Sequence, residues 1–319
     1  MVFVEDAWLT RFRRGRLRSF ETPNRWIEGA VHDKAGRLVV ESQMLGSYGG
    51  RNLVAADPPK VPRSGKRDQL AGTWLYGGNF TDHFGHFIAE CLPTLWPEKV
   101  EVDGLVFHRY LNPDPVVADF HRELLGYAGF GDLPVHIVSG RAAQVESLWV
   151  PTRPVTVNGW AHQQAVDVWR RIVANAGGPA PDVDRVWFSR AEFNERQRAT
   201  GKRVRSTAER DRELDSLFAA AGFRVVVPEE LPVREQIRTA AGASVLAGQA
   251  GTALHLAVFA EAGTRCIEIG DTRTPKKGLL NQQVIHAVRE HRVAYIPDAT
   301  PPAEVAHALD ELDVSGATG

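Results

Sequence analysis

Apolar residues in this chain come in short continuous runs separated by stretches of helical period, and the alternation is cleanest over residues 185–300. Arg185-Val-Trp-Phe188, Phe223-Arg-Val-Val-Val-Pro228, Ala243-Ser-Val-Leu-Ala247, Arg265-Cys-Ile-Glu-Ile269 and Val293-Ala-Tyr-Ile296 read as strands covered on both faces. Between them, Ser206-Thr-Ala-Glu209 is a capping box in front of Leu214, Leu217, Phe218 and Ala221, with Gly222 as the stop. Further helices are predicted over Pro232–Ala241, from the glycine turn Gly248-Gln-Ala-Gly251-Thr252, over residues 279–290, and from Pro302. Strands alternating with helices at this spacing predict a doubly wound parallel sheet.

The N-terminal half follows a looser rule. Trp26–Val31 and Arg37–Glu41, joined by Asp33-Lys-Ala-Gly36, predict a β-hairpin, and Asp57–Gly65 is a proline-rich connection. Thr73-Trp-Leu-Tyr76 is a strand that Gly77-Gly78 should break, and a helix is expected from Asp82 to Pro97. A strand at Leu105–Phe107, a helix over residues 114–129, and strands at Val135–Val138 and Leu148–Val150 complete an α/β pattern with added hairpin material. Residues 160–176 form a helix with Val166, Trp169, Ile172, Val173 and Ala176 on one face, closed by Gly177-Gly178-Pro179. The chain is thus expected to divide into an N-terminal α/β domain over 1–158, a Rossmann-like domain over 159–300, and a helix with a frayed tail over 301–319.

Composition narrows the partners. A net charge of -1 and a charged fraction of 24% give no global attraction to nucleic acid or acidic membranes. The one local exception, Arg11–Arg18 with five arginines, could touch anionic lipid as a peripheral contact, or simply face water. Cys91 and Cys266 stand alone in apolar surroundings, with neither a disulfide framework nor a C-x-x-C metal spacing. No window approaches the ~20 apolar residues of a membrane span, and Met1–Asp6 has no signal-peptide core, so a cytoplasmic protein is expected.

Three clusters carry candidate chemistry. Ser189-Arg190 closes a strand, where a hydroxyl and a guanidinium suit a diphosphate, with Arg203 and other basic residues following. Gly248, Gly251 and Thr252 form a turn at a helix start, where free N–H groups suit phosphate, although it fits neither G-x-G-x-x-G nor a P-loop. The third is Asp82-His83-Phe-Gly-His86-Phe-Ile-Ala-Glu90, whose two histidines and carboxylate fall on one helix face. That stripe suits a general base, a metal, or histidines satisfied by neighbouring backbone.

Taken in order, these blocks resemble the family 61 glycosyltransferases, in the branch acting on bacterial capsular polysaccharide. His86-Phe-Ile-Ala-Glu90-Cys-Leu-Pro93 resembles the family's histidine–hydrophobic–acidic–Leu-Pro signature, and Ser189-Arg190 its Ser-Arg strand end. Pro228-Glu229-Glu-Leu231 with Glu235-Gln236-Ile237, and then Gly248 to Phe259 and Gly263 to Glu268, resemble its later blocks. The chain departs from the family at Ala250, where a histidine is frequent, at Leu256, where an asparagine is, and at Ser206-Thr207, which replace an Asn-Glu pair.

The resemblance implies a GT-B-like fold of two Rossmann-like domains facing a cleft. It implies an inverting, metal-independent glycosyltransferase that moves a sugar from a nucleotide-diphosphate sugar, a UDP-sugar first, to a hydroxyl of a glycan or glycosylated metabolite, with no cofactor. Ser189, Arg190, Arg203, Gly248, Gly251 and Thr252 would hold the donor diphosphate, and Glu229 the ribose or base. His86 or Glu90 would be the base, with Asp82 and His83 in reserve. A non-catalytic nucleotide- or glycan-binding protein on the same scaffold competes with this reading. A nicotinamide-dependent oxidoreductase is disfavoured by the missing fingerprint.

Overall fold

The computed structural model describes residues 1–10, 30–44, 47–48, 51–52, 66–110, 115–139, 141–202, 204–272 and 276–314. The arginine run, the proline-rich connection, the first four residues of the predicted hairpin and Arg203 lie outside the described residues. The chain folds as two compact units, Met1–Ile172 and Val173–Gly319.

The first unit is built on a six-stranded mixed sheet. Its strands are β1 (Val2–Thr10), β2 (Ala30–His32), β3 (Asp68–Phe80), β4 (Gly104–Arg109), β5 (Val135–Val138) and β6 (Ala143–Val150), in the order β2-β1-β6-β3-β4-β5. From β6 to β5 the neighbours run parallel, whereas β1 pairs antiparallel with both β2 and β6. One core gathers alternate residues of these strands, Val4, Leu9, Trp74, Tyr76, Val106, Val145 and Leu148 among them. Two expectations need correction here. The hairpin survives only as a bridge from His32 to Leu38, because the chain after it winds into a 3-10 turn at Val40–Ser42.

Gly77-Gly78 does not end the strand either; β3 runs on to Phe80 through a bulge between Tyr76 and Gly78. The glycines serve clearance. A Cβ on Gly77 would strike the Phe107 ring, and one on Gly78 (φ +88) would strike the Arg153 guanidinium. That guanidinium donates to Asn79 Oδ1 at 3.3 Å, so the bulge makes room for a buried arginine at the carboxyl end of β3.

Helix α1 (Asp119–Tyr127) crosses from β4 to β5, and α2 (Gln163–Asn175) carries Trp169, whose indole donates to the Ile88 carbonyl at 2.9 Å. The expected helix over 82–97 is broken into three windings: an α turn at Phe84–His86, a π turn at Phe87–Cys91 and a 3-10 turn at Leu92–Leu95. Pro93 explains the change, since it has no N–H for the carbonyl four residues back and its ring crowds that carbonyl. The ladder widens before it and tightens through it.

The second unit is an all-parallel five-stranded sheet. Its strands are β7 (Arg185–Phe188), β8 (Arg224–Val226), β9 (Val245–Gln249), β10 (Arg265–Ile269) and β11 (Arg292–Ile296), in the order β8-β7-β9-β10-β11. Its helices are α3 (Ala191–Ala199), α4 (Ala208–Ala220), α5 (Val233–Gly242), α6 (Leu280–Val288) and α7 (Pro302–Val314). One sheet face packs Trp187, Val245, Ala247, Ile267 and Ile269 against Leu214 and Phe218 of α4 and Val305 and Leu309 of α7. Trp187 stacks on Phe218 with ring centroids 4.0 Å apart.

Pattern reading misses α3 altogether, because its sequence, Ala-Glu-Phe-Asn-Glu-Arg-Gln-Arg-Ala, carries no apolar stripe. It also places the α4 cap one residue early: Thr207, not Ser206, accepts the Arg210 amide. Gly222 (φ +79) does end α4, with Phe223 N–H donating to Phe218 C=O and Gly222 N–H to Ala219 C=O in a Schellman closure. After the glycine turn comes a six-residue 3-10 helix, Leu254–Phe259, rather than an α-helix. No helix among the described residues is long and apolar enough to cross a membrane.

Candidate active site

In the first unit the chemistry collects where β3 ends. Thr81 to Glu90 follow that strand directly, so the carboxyl edge of the sheet presents the short α turn and the π turn. His86 Nδ1 and Glu90 Oε1 are 2.7 Å apart. Glu90 is buried and His86 is partly open, with 31% of its side chain exposed. The carboxylate therefore fixes the ring through Nδ1 and leaves Nε2 as the proton-accepting atom. Burial alone would push the His86 pKa down, but the hydrogen bond and charge of Glu90 outweigh it and hold the pKa above the ordinary histidine value.

His83 caps the α turn, its Nδ1 facing the His86 amide at 3.5 Å, and its ring lies 4.6 Å from that of His86. Burial and then the neighbouring His86 push its pKa down. The two rings are thus driven apart in proton affinity. Asp82 is exposed. Among the described residues, His83, His86 and Glu90 do not bring three donor atoms into one metal-sized group. A cavity of about 810 Å³ in this unit lies elsewhere, between the amino end of β4 and the loop after α1, where Thr73, Asp103, Gly129 and Asp132 line it.

In the second unit, β7 and β9 are neighbours in the sheet although β8 intervenes in sequence, and Phe188 pairs with Gly248. The direction of winding reverses between these strands, and ligands of open α/β sheets sit in the crevice at the carboxyl ends of such a pair. Ser189-Arg190 and Ala250–Ala253 flank that crevice. The fold thus sets two of the sequence-predicted clusters side by side.

Their roles divide. Ser189 is fully buried; its hydroxyl donates to Asp215 Oδ2 at 2.8 Å and accepts the Ala191 amide at 3.1 Å. It shapes the turn that launches α3. Arg190 is half-buried at that helix start, its guanidinium 4.5 Å over the Phe193 ring. On the β9 side, Gly248 lies inside the strand with Leu254 against it, and Gly251 (φ +139) turns the chain. Among the described residues the amides of Gly251 and Thr252 donate no hydrogen bond. Glu229 is exposed in a 3-10 turn beyond β8. Beside it, the carboxyl of Glu230 hydrogen-bonds Glu192 and holds the Glu192 pKa up. The crevice is therefore acidic on its β8 side, while Arg190 follows β7 and the unspent amides follow β9.

A buried network braces this edge. Asp211 of α4 accepts from Asn194 Nδ2 at 3.1 and 3.2 Å, from Arg198 Nη2 at 2.7 Å and from Gln249 Nε2 at 3.4 Å. Asp215, one turn along, also takes the Trp187 indole at 2.7 Å; burial, ahead of its hydrogen bonds, leaves its pKa raised.

The family model of glycosyltransferase 61 matches residues 84–267, more than half of the chain. The chain belongs to glycosyltransferase family 61. Membership implies a glycosyltransferase, and the mixed α/β architecture fits one. Comparison with curated proteins returns no match. The family match takes in His86, Glu90, Ser189, Arg190, Glu229, Gly248, Gly251 and Thr252, and begins after Asp82 and His83. Within this glycosyltransferase, pattern reading overlooks Asn194, Asp211, Asp215 and Gln249. Only the i, i+4 spacing of Asp211 and Asp215 on one helix face, both turned toward the sheet, could have signalled them.

Proposed function

We propose that the chain is an inverting glycosyltransferase that moves a sugar from a nucleotide-diphosphate sugar, a UDP-sugar first, to a hydroxyl of a glycan or glycosylated metabolite. The observation that carries this reading is the 2.7 Å pairing of His86 Nδ1 with buried Glu90. Nε2 of His86 takes the proton of the acceptor hydroxyl as its oxygen attacks the anomeric carbon from the side opposite the diphosphate. The bond from that carbon to the β-phosphate oxygen breaks, and the electron pair leaves with the nucleotide diphosphate. Inversion follows from this single displacement.

Charge grows on the departing phosphate, and fixed donors aimed at growing charge lower the barrier. Arg190 and the amides of Gly251 and Thr252 are given that task; a metal is not required in this scheme. Glu229 and the acidic β8 side suit ribose hydroxyls, which donate to carboxylates. The scheme puts donor on the second unit and acceptor on the first, the division of labour of a GT-B enzyme.

The direct test is an assay of transfer and hydrolysis across a panel of sugar nucleotides, with anomeric configuration read by NMR. Turnover giving an inverted product supports the proposal. A retained product overturns the mechanism, and tight nucleotide-sugar binding with no turnover would favour the non-catalytic reading that Ala250 and Leu256 suggest.

The pH profile gives a second check. A base must be unprotonated, so kcat/KM rises with pH through the His86 pKa, and Glu90 places that rise above the ordinary histidine range. Glu90→Gln removes the charge and keeps the shape, so the acid limb should move to lower pH while kcat falls. A limb that does not move would mean that a different group titrates.

A further inference from the structure

We propose that Cys266, His286 and His291 form a binding site for one divalent d-block cation, zinc by preference, with its fourth position open to a cavity of the second unit. Cys266 lies on β10, on the sheet face opposite the core of Trp187 and Ile267, and His286 lies on α6. His291 stands just before β11. A donor atom from each of the three lies within 4.8 Å of the other two, and the Nδ1 atoms of His286 and His291 are 3.1 Å apart.

The geometry fits a tetrahedral centre. Zinc–nitrogen bonds of about 2.0–2.1 Å put two nitrogen ligands roughly 3.3 Å apart, and a zinc–sulfur bond of about 2.3 Å puts sulfur roughly 3.5 Å from each nitrogen. The imidazoles already stand at nearly that spacing, and the thiol needs to close by at most about 1.3 Å. Two nitrogens and one sulfur are a borderline-soft donor set, which selects zinc or its neighbours over magnesium or calcium.

Burial, with His291 and His255 nearby, lowers the His286 pKa to about 3. Burial and the charge of Arg289 lower that of His291 to about 4. Only the thiol must give up a proton, and burial, then Glu268, has pushed it up to about 12. A coordinated cation reverses that preference.

Charge balances as well. Zinc with one thiolate carries a single positive charge, and Glu268 is buried two residues along the same strand face. The Arg289 guanidinium, the cation beside the rings, is turned to the Ala260 carbonyl. An outer partner is also in place: Gln282 Nε2 lies 3.2 Å from His286 Nε2, and its Oε1 lies 2.7 Å from His255 Nδ1. With Nδ1 on the metal, His286 Nε2 carries the hydrogen, and reversing the Gln282 amide gives up its donation to the Leu254 carbonyl but lets its oxygen accept from His286 and its nitrogen donate to His255. Such outer hydrogen bonds fix the tautomer of a metal-bound histidine.

The open position faces a cavity of about 620 Å³ lined by Glu268, His286, His291 and Tyr295 together with Lys276 and Lys277. Both lysines are exposed, so water or a small anion is the natural fourth ligand. Cys266 precedes the carboxyl end of β10 by three residues, so this centre is separate from the β7/β9 crevice.

The test is cobalt titration of the full chain after dialysis against a chelator, followed by zinc competition. One equivalent of cobalt should give the near-ultraviolet thiolate-to-cobalt band and the visible bands of a four-coordinate ion, and zinc should displace it. Cys266→Ala should abolish the thiolate band, and His291→Gln should weaken zinc binding by at least about tenfold. Circular dichroism of each metal-free variant reports its folding, and if His291→Gln does not fold, the Cys266→Ala result decides. Folded wild-type protein that takes up no cobalt, or a thiolate band that persists in Cys266→Ala, overturns the proposal.

Discussion

His86→Ala should cut kcat/KM for sugar transfer by about 10²–10⁴-fold, the usual worth of a positioned general base, while leaving the Kd for nucleotide diphosphate unchanged. The split matters because the residue faces the acceptor in the proposed scheme. A base that acts only as the acceptor hydroxyl is deprotonated contributes to the transition state and little to donor binding. Glu90→Gln should sit between wild type and His86→Ala, since the ring remains but is no longer aligned by a carboxylate. Residual transfer in His86→Ala should rise more steeply with pH, as hydroxide and water replace the imidazole. Isothermal titration with the nucleotide alone separates the two effects. If His86→Ala loses nucleotide affinity and transfer equally, the residue binds donor and the assignment of roles is wrong.

The fold of the second unit was legible because parallel strands covered on both faces leave continuous apolar runs. Val186–Phe188, Val245–Ala247 and Cys266–Ile269 needed no partner to be recognised. Helix α3 was not legible: Phe193 is spent under the Arg190 guanidinium, and the buried face of the helix is polar through Asn194. In the first unit, Gly77-Gly78 looked like a break, since nothing local reveals that Phe107 and Arg153 fill the space left by the missing side chains. The same limit applies to the site. His86 and Glu90 could be paired from their i, i+4 spacing alone. That Ser189 turns inward to Asp215 while Arg190 remains at the edge depends on a helix whose position the sequence pattern did not disclose. Cys266, His286 and His291 meet only because a parallel crossover returns α6 over β10.

Asp211→Ala should destabilise the second unit and weaken its ligand binding together. The carboxylate is almost wholly buried and receives Asn194, Arg198 and Gln249, so its removal breaks the ion pair with Arg198 and takes the acceptor from the Asn194 and Gln249 amides. Breaking a buried ion pair by deleting one partner costs about 3–5 kcal/mol. Arg198 keeps 26% of its side chain in solvent and a second acceptor at the Ser206 carbonyl, which lowers the expectation to about 2–3 kcal/mol. For a unit of this size that corresponds to a fall in Tm of roughly 5–10 °C. Asp211→Asn keeps one acceptor oxygen and should cost less than half as much. The effect should also reach the ligand. Asn194 is on α3, which Arg190 caps, and Gln249 is the last residue of β9, so the carboxylate ties together the two sides of the proposed diphosphate crevice. Nucleotide affinity measured well below the melting transition should therefore weaken in Asp211→Ala more than in a destabilised core variant such as Leu309→Ala, whose side chain lies in the apolar core between α7 and the sheet. Equal nucleotide affinity in the two variants would show that the network holds the unit together without shaping the crevice.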